Sequence, residues 1–195
     1  MTSDLFLALL VFCVVASATP GPNNLMLMAS GANFGIRRTV PHMLGIMLGF
    51  GLMVVLVGAG IAGVLQANPR VYEVLRWASI GYLLYLAWKI ANAGPMGREK
   101  GRGKPFTFLQ AAAFQWVNPK AWATAMTATV VYAPDRSLFW ALVVGAVFVV
   151  VSVPVVTFWT AMGGQVARLL TAPRALTAFN WIMAALLVAS LYPTL

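Results

Sequence analysis

Six apolar stretches, at about 5–30, 40–65, 74–91, 106–132, 138–162 and 175–191, take up most of this 195-residue chain. Each is close to the roughly 20 residues an α-helix needs to cross the hydrocarbon core of a bilayer. Composition supports reading them together, because 61% of the residues are hydrophobic and 9% charged, against roughly 45–50% and 25% in soluble domains. So much apolar surface excludes a disordered chain. What is left for connections leaves no room for a soluble domain. The expected fold is therefore an all-α polytopic membrane protein, a single transmembrane domain over residues 1–195 with six transmembrane helices and membrane lipid as its surroundings. The first stretch has one mark of a secretory leader, since Ala16, Ser17 and Ala18 follow an apolar core as a cleavage site would. Its start, Met1 to Asp4, carries an acid and no base, and the apolar run resumes at Leu25, so it reads as a retained span.

A net charge of +9 would suggest nucleic acid in a soluble protein. Here the basic residues are few and lie in connections, so no nucleic-acid partner is expected. The single cysteine, Cys13, lies within the first span and cannot form an intrachain disulfide. One histidine and four acids supply no set of metal ligands, and no cofactor is expected. A homo-oligomer is compatible with the sequence.

Basic residues in connections are retained in the cytoplasm. Nine of the thirteen (Arg37, Arg38, Lys89, Arg98, Lys100, Arg102, Lys104, Arg168 and Arg174) fall in the connections after spans 1, 3 and 5. Three (Arg70, Arg76 and Arg136) fall on the opposite side, and Lys120 lies inside a span. Both termini are thus expected outside the cytoplasm. The connection at 92–105 is rich in glycine and basic residues and reads as a flexible linker between two three-helix halves, about 1–91 and 106–195. An odd number of spans per half inserts the second half upside down, the arithmetic of an inverted repeat. Leu65-Gln66-Ala67-Asn68-Pro69-Arg70 ahead of span 3 echoes Leu169-Leu170-Thr171-Ala172-Pro173-Arg174 ahead of span 6.

Each half also interrupts its first helix. In span 1, Thr19 and Gly21 each precede a proline and are biased away from the α region, so the helix should stop near Ala18. Pro22 suits the first position of a restarted helix with Gly21 as its cap. In span 4, Gln115-Trp116-Val117-Asn118-Pro119-Lys120 repeats the arrangement, with Asn118 as cap and Pro119 in the first turn. A helix restarted inside a membrane exposes unpaired N–H groups and the positive end of its dipole, a place for a carboxylate. Prolines in membrane helices often only kink them, but two breaks at matching depth in matching halves point to a midplane site for a small zwitterion or anion. The expected substrate-binding residues are Gly21, Pro22, Asn23, Asn24, Asn118, Pro119 and Lys120. Lys120 costs roughly 2.5–3.5 kcal/mol to insert at the bilayer centre, so it should face a cavity or a partner. No acid lies within a span, which leaves the substrate carboxylate, carbonyls or water to meet it.

Pro20-Gly21-Pro22-Asn23 in span 1, the glycine-rich span 2, Gly81-Tyr82-Leu83 and Leu86-Ala87-Trp88 in span 3, and Asn118-Pro119-Lys120 in span 4 together resemble the LysE/RhtB family of amino-acid exporters. The resemblance covers nearly the whole chain. The stretch Pro22-Asn23-Asn24-Leu25, with Gly35-Ile36-Arg37 and Gly45-Ile46-Met47-Leu48-Gly49-Phe50, is most similar to the cysteine and O-acetylserine exporter branch. It implies a translocator in the bacterial inner membrane that exports amino acids or close derivatives in exchange for protons, with its site at the proline breaks. Many members carry an acidic residue in span 2 where this chain has Phe50. Its absence leaves the proton carrier unassigned and argues against a cationic substrate, so neutral amino acids are expected.

Other residues admit two readings. His42 is the one side chain that ordinarily titrates near neutrality and is a candidate proton carrier, or else an interfacial histidine. Gln115, Trp116 and Trp122 are possible lining residues of the site, the two tryptophans packing helices otherwise, and Gln115 and Asn180 are also polar groups placed to bond between helices. Gly45 and Gly49 form a small-xxx-small pair suited to close packing. An intramembrane enzyme would need a nucleophile with a base or paired acids, and the chain has neither arrangement. A channel or a structural membrane partner is the other alternative, but a channel would show charged rings or a carbonyl filter instead of two capped half-helices.

Overall fold

The computed structural model describes residues 1–67, 69–93, 104–135, 137–170 and 172–190. All regular structure among them is helical: α1 (Ser3–Ala18), α2 (Pro22–Gly58), α3 (Ile61–Gln66), α4 (Pro69–Ala91), α5 (Phe108–Val117), α6 (Pro119–Val131), α7 (Leu138–Leu169) and α8 (Pro173–Ala189). The middle of the basic linker, 94–103, lies outside the described residues, as do Arg136 and the echo residues Asn68 and Thr171.

Local sequence accounts for where these helices start. Thr2 accepts from Leu5 N at the head of α1. Thr107 and Gln110 form a reciprocal capping box on α5, and Ser137 caps α7. Proline occupies the first turn of α2, α6 and α8, where its missing N–H costs nothing. Both echo segments deliver their proline, Pro69 or Pro173, to a helix start.

The two central breaks fall where the prolines require them. α1 ends at Ala18 and α2 restarts at Pro22 with Gly21 as cap. α5 ends at Val117 and α6 restarts at Pro119 with Asn118 as cap. A third interruption differs from the expected loop around Arg37 and Arg38. Helical structure continues on both sides of Gly35, which alone departs from it at φ 73° and ψ 170°, a conformation open to glycine and costly for side chains with a Cβ. Ser30 and Thr39 would stand about 13 Å apart along a straight helix. Their hydroxyls meet at 2.9 Å, so the chain doubles back at one residue. Thr39 also donates to the Gly35 carbonyl at 2.8 Å, which fixes the turn.

Packing centres on α2 and α7. One apolar core joins the first arm of α2 to α4, α5 and α8 through Met26, Leu83, Leu86, Phe114, Met183 and Leu187. A second joins α1, the second arm of α2, α6 and α7 through Leu9, Cys13, Met53, Ala125, Val144 and Phe148. Small residues bring backbones together. A Cβ on Gly31 would fall on the Thr160 carbonyl, and one on Gly163 on the Met28 carbonyl, so the first arm of α2 and α7 touch main chain to main chain. Gly45 and Gly49 do the same against Phe108 and Ala112 of α5, the close packing that their spacing suggested. Asn33 and Asn180 exchange amide hydrogen bonds at 2.6 and 3.0 Å, and Asn180 also donates to the Ala93 carbonyl.

The exterior is apolar as well. Leu109, Val130 and Leu169 are 74%, 77% and 81% exposed, and α1 turns Leu7, Val11 and Val15 outward. Helices apolar on their outer as well as their inner faces are suited to lipid. Among the described residues, α2 and α7 are long and apolar enough to cross a membrane, and α1 and the 174–189 stretch of α8 are shorter apolar helices.

Candidate functional site

The two proline breaks meet. Gly21, Pro22, Asn23, Asn24, Asn118 and Lys120 all line one partly enclosed cavity of about 60 Å³, room for a few water molecules. Pro119 does not line it, although it starts the helix that carries Lys120.

Two side chains cross between the breaks in opposite directions. Lys120, in the first turn of α6, donates through Nζ to the Thr19 carbonyl at 2.6 Å, where α1 has stopped. Asn23, in the first turn of α2, reaches Gln115 in the last turn of α5. Their amides exchange two hydrogen bonds, 2.8 and 3.1 Å. Each restarted helix is thereby tied to the terminated helix of the other break. Asn24 donates to the carbonyls of Ser17 and Thr19 at 3.0 and 2.9 Å, satisfying the end of α1 from within its own break. The Lys120 ammonium stands at the negative end of the α1 dipole, a favourable place for a cation. Its stem lies along Gly21, where a Cβ would be 3.0 Å from Cδ and 3.2 Å from Nζ. Gly21 is in extended backbone that any residue adopts, so what requires glycine there is the room for Lys120.

The two helix starts are not equivalent, contrary to the expectation that both offer free amides. Asn118 accepts from Lys120 N at 3.1 Å, so the head of α6 is capped. Gly21 offers no side-chain cap. The backbone N–H groups of Asn23 and Asn24 have no acceptor among the described residues, so the head of α2 keeps unpaired amides.

Several lining residues gave no motif. Ser17, Thr124 and Ser152 bring hydroxyls with no hydrogen-bond partner among the described residues. Thr124 lies one helical turn beyond Lys120, and Ser152 is the lone hydroxyl in the apolar run 138–156; both signals were available in the sequence. Ile46, Phe50 and Phe148 close the apolar side, with Phe50 packed edge-on to Phe148 at 5.0 Å. No acidic side chain lines the cavity. Among the described residues no group of His, Cys, Asp and Glu is arranged to hold a metal ion.

Four other expected residues, Gln115, Trp116, Trp122 and His42, do not line the cavity. Trp122 Nε1 donates to the Trp116 carbonyl at 2.8 Å, the two rings meet edge to face at 5.8 Å, and neither lines the cavity. His42 is fully buried on α2 against Phe106, outside the cavity wall.

The model of a family described as LysE type translocator matches residues 14–190 of this chain. A cysteine/O-acetylserine efflux protein of Salmonella paratyphi A is 36% identical over 145 residues, 73% of each chain. Proteins of the same description from Escherichia coli O139:H28 and Escherichia coli K12 are 32% identical over 172 residues, 87% of each chain. No solved structure matches.

Proposed function

Because the chain belongs to the LysE type translocator family, we propose that it is a secondary exporter of small neutral amino acids or their derivatives, exchanged for protons across the bacterial inner membrane. Cysteine and O-acetylserine are the first candidates, from the description of the relatives; homoserine, threonine and leucine follow. The observation that carries the reading is the pair of broken helices meeting at one cavity with Lys120 reaching across it.

The substrate carboxylate sits at the open head of α2, on the N–H groups of Asn23 and Asn24, and takes Lys120 from the Thr19 carbonyl. The substrate ammonium faces the carbonyl end of α1 and the hydroxyls of Ser17, Thr124 and Ser152. A cavity without a carboxylate suits a neutral side chain, with Phe50, Phe148 and Ile46 packing against it.

The architecture proposed with this function is six spans in two inverted repeats, about 1–91 and 106–195, joined by the linker 92–105, with both termini outside. The opposed crossing of Lys120 and Asn23 supports it, since each is the second residue of its restarted helix and each reaches the stopped helix of the other half. Gly35 supports two antiparallel spans within 22–58. Rocking of the halves about the breaks would present the site to either side in turn.

The reading is tested by counterflow in proteoliposomes loaded with unlabelled amino acid, with L-cysteine, O-acetylserine, homoserine, threonine and leucine in turn outside. Exchange of at least one above protein-free vesicles is expected. No exchange of any of them, with the protein folded in the vesicle, refutes it.

A further inference from the structure

Among the described residues, the buried side-chain nitrogen and oxygen atoms without any hydrogen-bond partner are the two ring nitrogens of His42. Buried polar groups are nearly always paired, and an unpaired one in a native fold calls for a reason. The surroundings supply one. His42, Ile46 and Phe50 follow one another at four-residue spacing on one face of α2. Ile46 and Phe50 line the cavity between the breaks, and His42 is the next residue from it toward the turn at Gly35. Its ring meets Phe106 edge to face at 5.0 Å. The Lys89 ammonium lies 4.3 Å from the centroid of that same Phe106 ring and donates to Gln110 Oε1 at 3.1 Å. Phe106, Lys89, Lys104, Ser30 and Asn33 line a small pocket of about 10 Å³, the size of a single water. Phe106 therefore stands between the imidazole and a basic pocket at the end of the fold that holds the Gly35 turn.

We infer that His42 is the residue that carries the coupling proton, with Phe106 and Lys89 as the shutter that keeps it from the cytoplasm. The inference rests on the export reading above. A proton entering from the cavity side, past Ile46 one helical turn away, binds the ring nitrogen that lacks one. The charged ring then faces the Lys89 ammonium of α4 across Phe106, with Lys104 ahead of α5 lining the same pocket. The described acids stand elsewhere, Asp4 at the start of α1, Glu73 early in α4 and Asp135 in the turn before α7. Like charges meeting across one aromatic ring separate. The shutter yields, the same N–H bond gives its proton to cytoplasmic water, and the neutral ring reseals. Protons move inward as substrate moves outward, with no other bond made or broken.

The test compares wild type with His42→Phe and His42→Gln in proteoliposomes, using labelled L-cysteine in two assays. Counterflow at equal pH needs the site and the rocking motion but no net proton transfer. Accumulation driven by an acid interior needs the proton carrier. Both variants should keep counterflow within about threefold of wild type and lose gradient-driven accumulation at least tenfold. His42→Phe should also retain thermal stability, because an apolar ring replaces an unpaired polar one. Gradient-driven accumulation that survives in His42→Phe overturns the inference, and so does equal loss of both assays in folded protein, which marks a structural residue. Wild type that exchanges L-cysteine but ignores the pH gradient overturns proton coupling while leaving export standing. Wild type that exchanges none of the five amino acids removes the export reading itself.

Discussion

Replacing Lys120 by methionine removes the ammonium and keeps most of the apolar stem that lies along Gly21. Without substrate, Lys120 bonds to the Thr19 carbonyl at 2.6 Å, and a hydrogen bond involving a charged group contributes about 1.5–3 kcal/mol. In the proposed substrate-bound state it exchanges that carbonyl for a carboxylate. Two unit charges about 4 Å apart interact by about 4 kcal/mol at an effective dielectric constant of 20. The net gain on binding is the difference, about 1–2.5 kcal/mol, so Lys120→Met should weaken substrate affinity about 5- to 60-fold. The fold should survive, because Thr19 keeps its hydrogen bond from Asn24 at 2.9 Å and a cation costly to place within a membrane is gone. Binding of labelled L-cysteine to purified protein, measured by scintillation proximity beside thermal unfolding, reads both quantities. Affinity within twofold of wild type at unchanged stability would refute the placement of the carboxylate beside Lys120.

Three further outcomes follow from the packing. Gly21→Ala puts a methyl against the Lys120 stem at 3.0 Å, so it should lower affinity in the same assay without backbone strain, and an unchanged affinity would count against the role of that contact. Gly163→Ala drives a methyl into the Met28 carbonyl and should cost about 1–3 kcal/mol, whereas at Gly164 the nearest atom is 3.9 Å away and alanine should be neutral or stabilising. Thermal unfolding of the two variants reads that contrast directly. A double-mutant cycle of Asn33→Ala and Asn180→Ala should give a coupling of about 0.6–1.7 kcal/mol, and additive single effects would show that the paired amides contribute nothing.

Much of this fold is legible in the sequence because backbone chemistry writes it there. Gly21-Pro22 and Asn118-Pro119 each specify a helix stop, a cap and a restart without help from tertiary contacts, and both appear in the structure at those residues. The turn at Gly35 was less legible, since Arg37 and Arg38 suggest a loop by charge alone, whereas a single residue at positive φ turns the chain. Trp116 and Trp122 flank the break in sequence and bond to each other away from the cavity, because helical phase decides what a side chain faces. The crossing of Lys120 to Thr19 joins residues 101 positions apart, and the Asn23–Gln115 pair is 92 positions apart. No local pattern encodes which polar group meets which across two helices. The unequal capping of α2 and α6 was foreshadowed by Gly21 against Asn118, but that the uncapped start faces the other break depends on their convergence.

The exchange of partners between the two breaks also sets a schedule for making the protein. Chain emerges from the ribosome at about 5–20 residues per second. Asn23 is therefore complete about 5–18 s before Gln115 exists, and Asn33 precedes Asn180, 147 positions later, by about 7–29 s. During that interval the first half holds an unpaired amide at its own helix break and cannot close on itself. The last helix to be synthesised, α8, locks a contact that α2 opened.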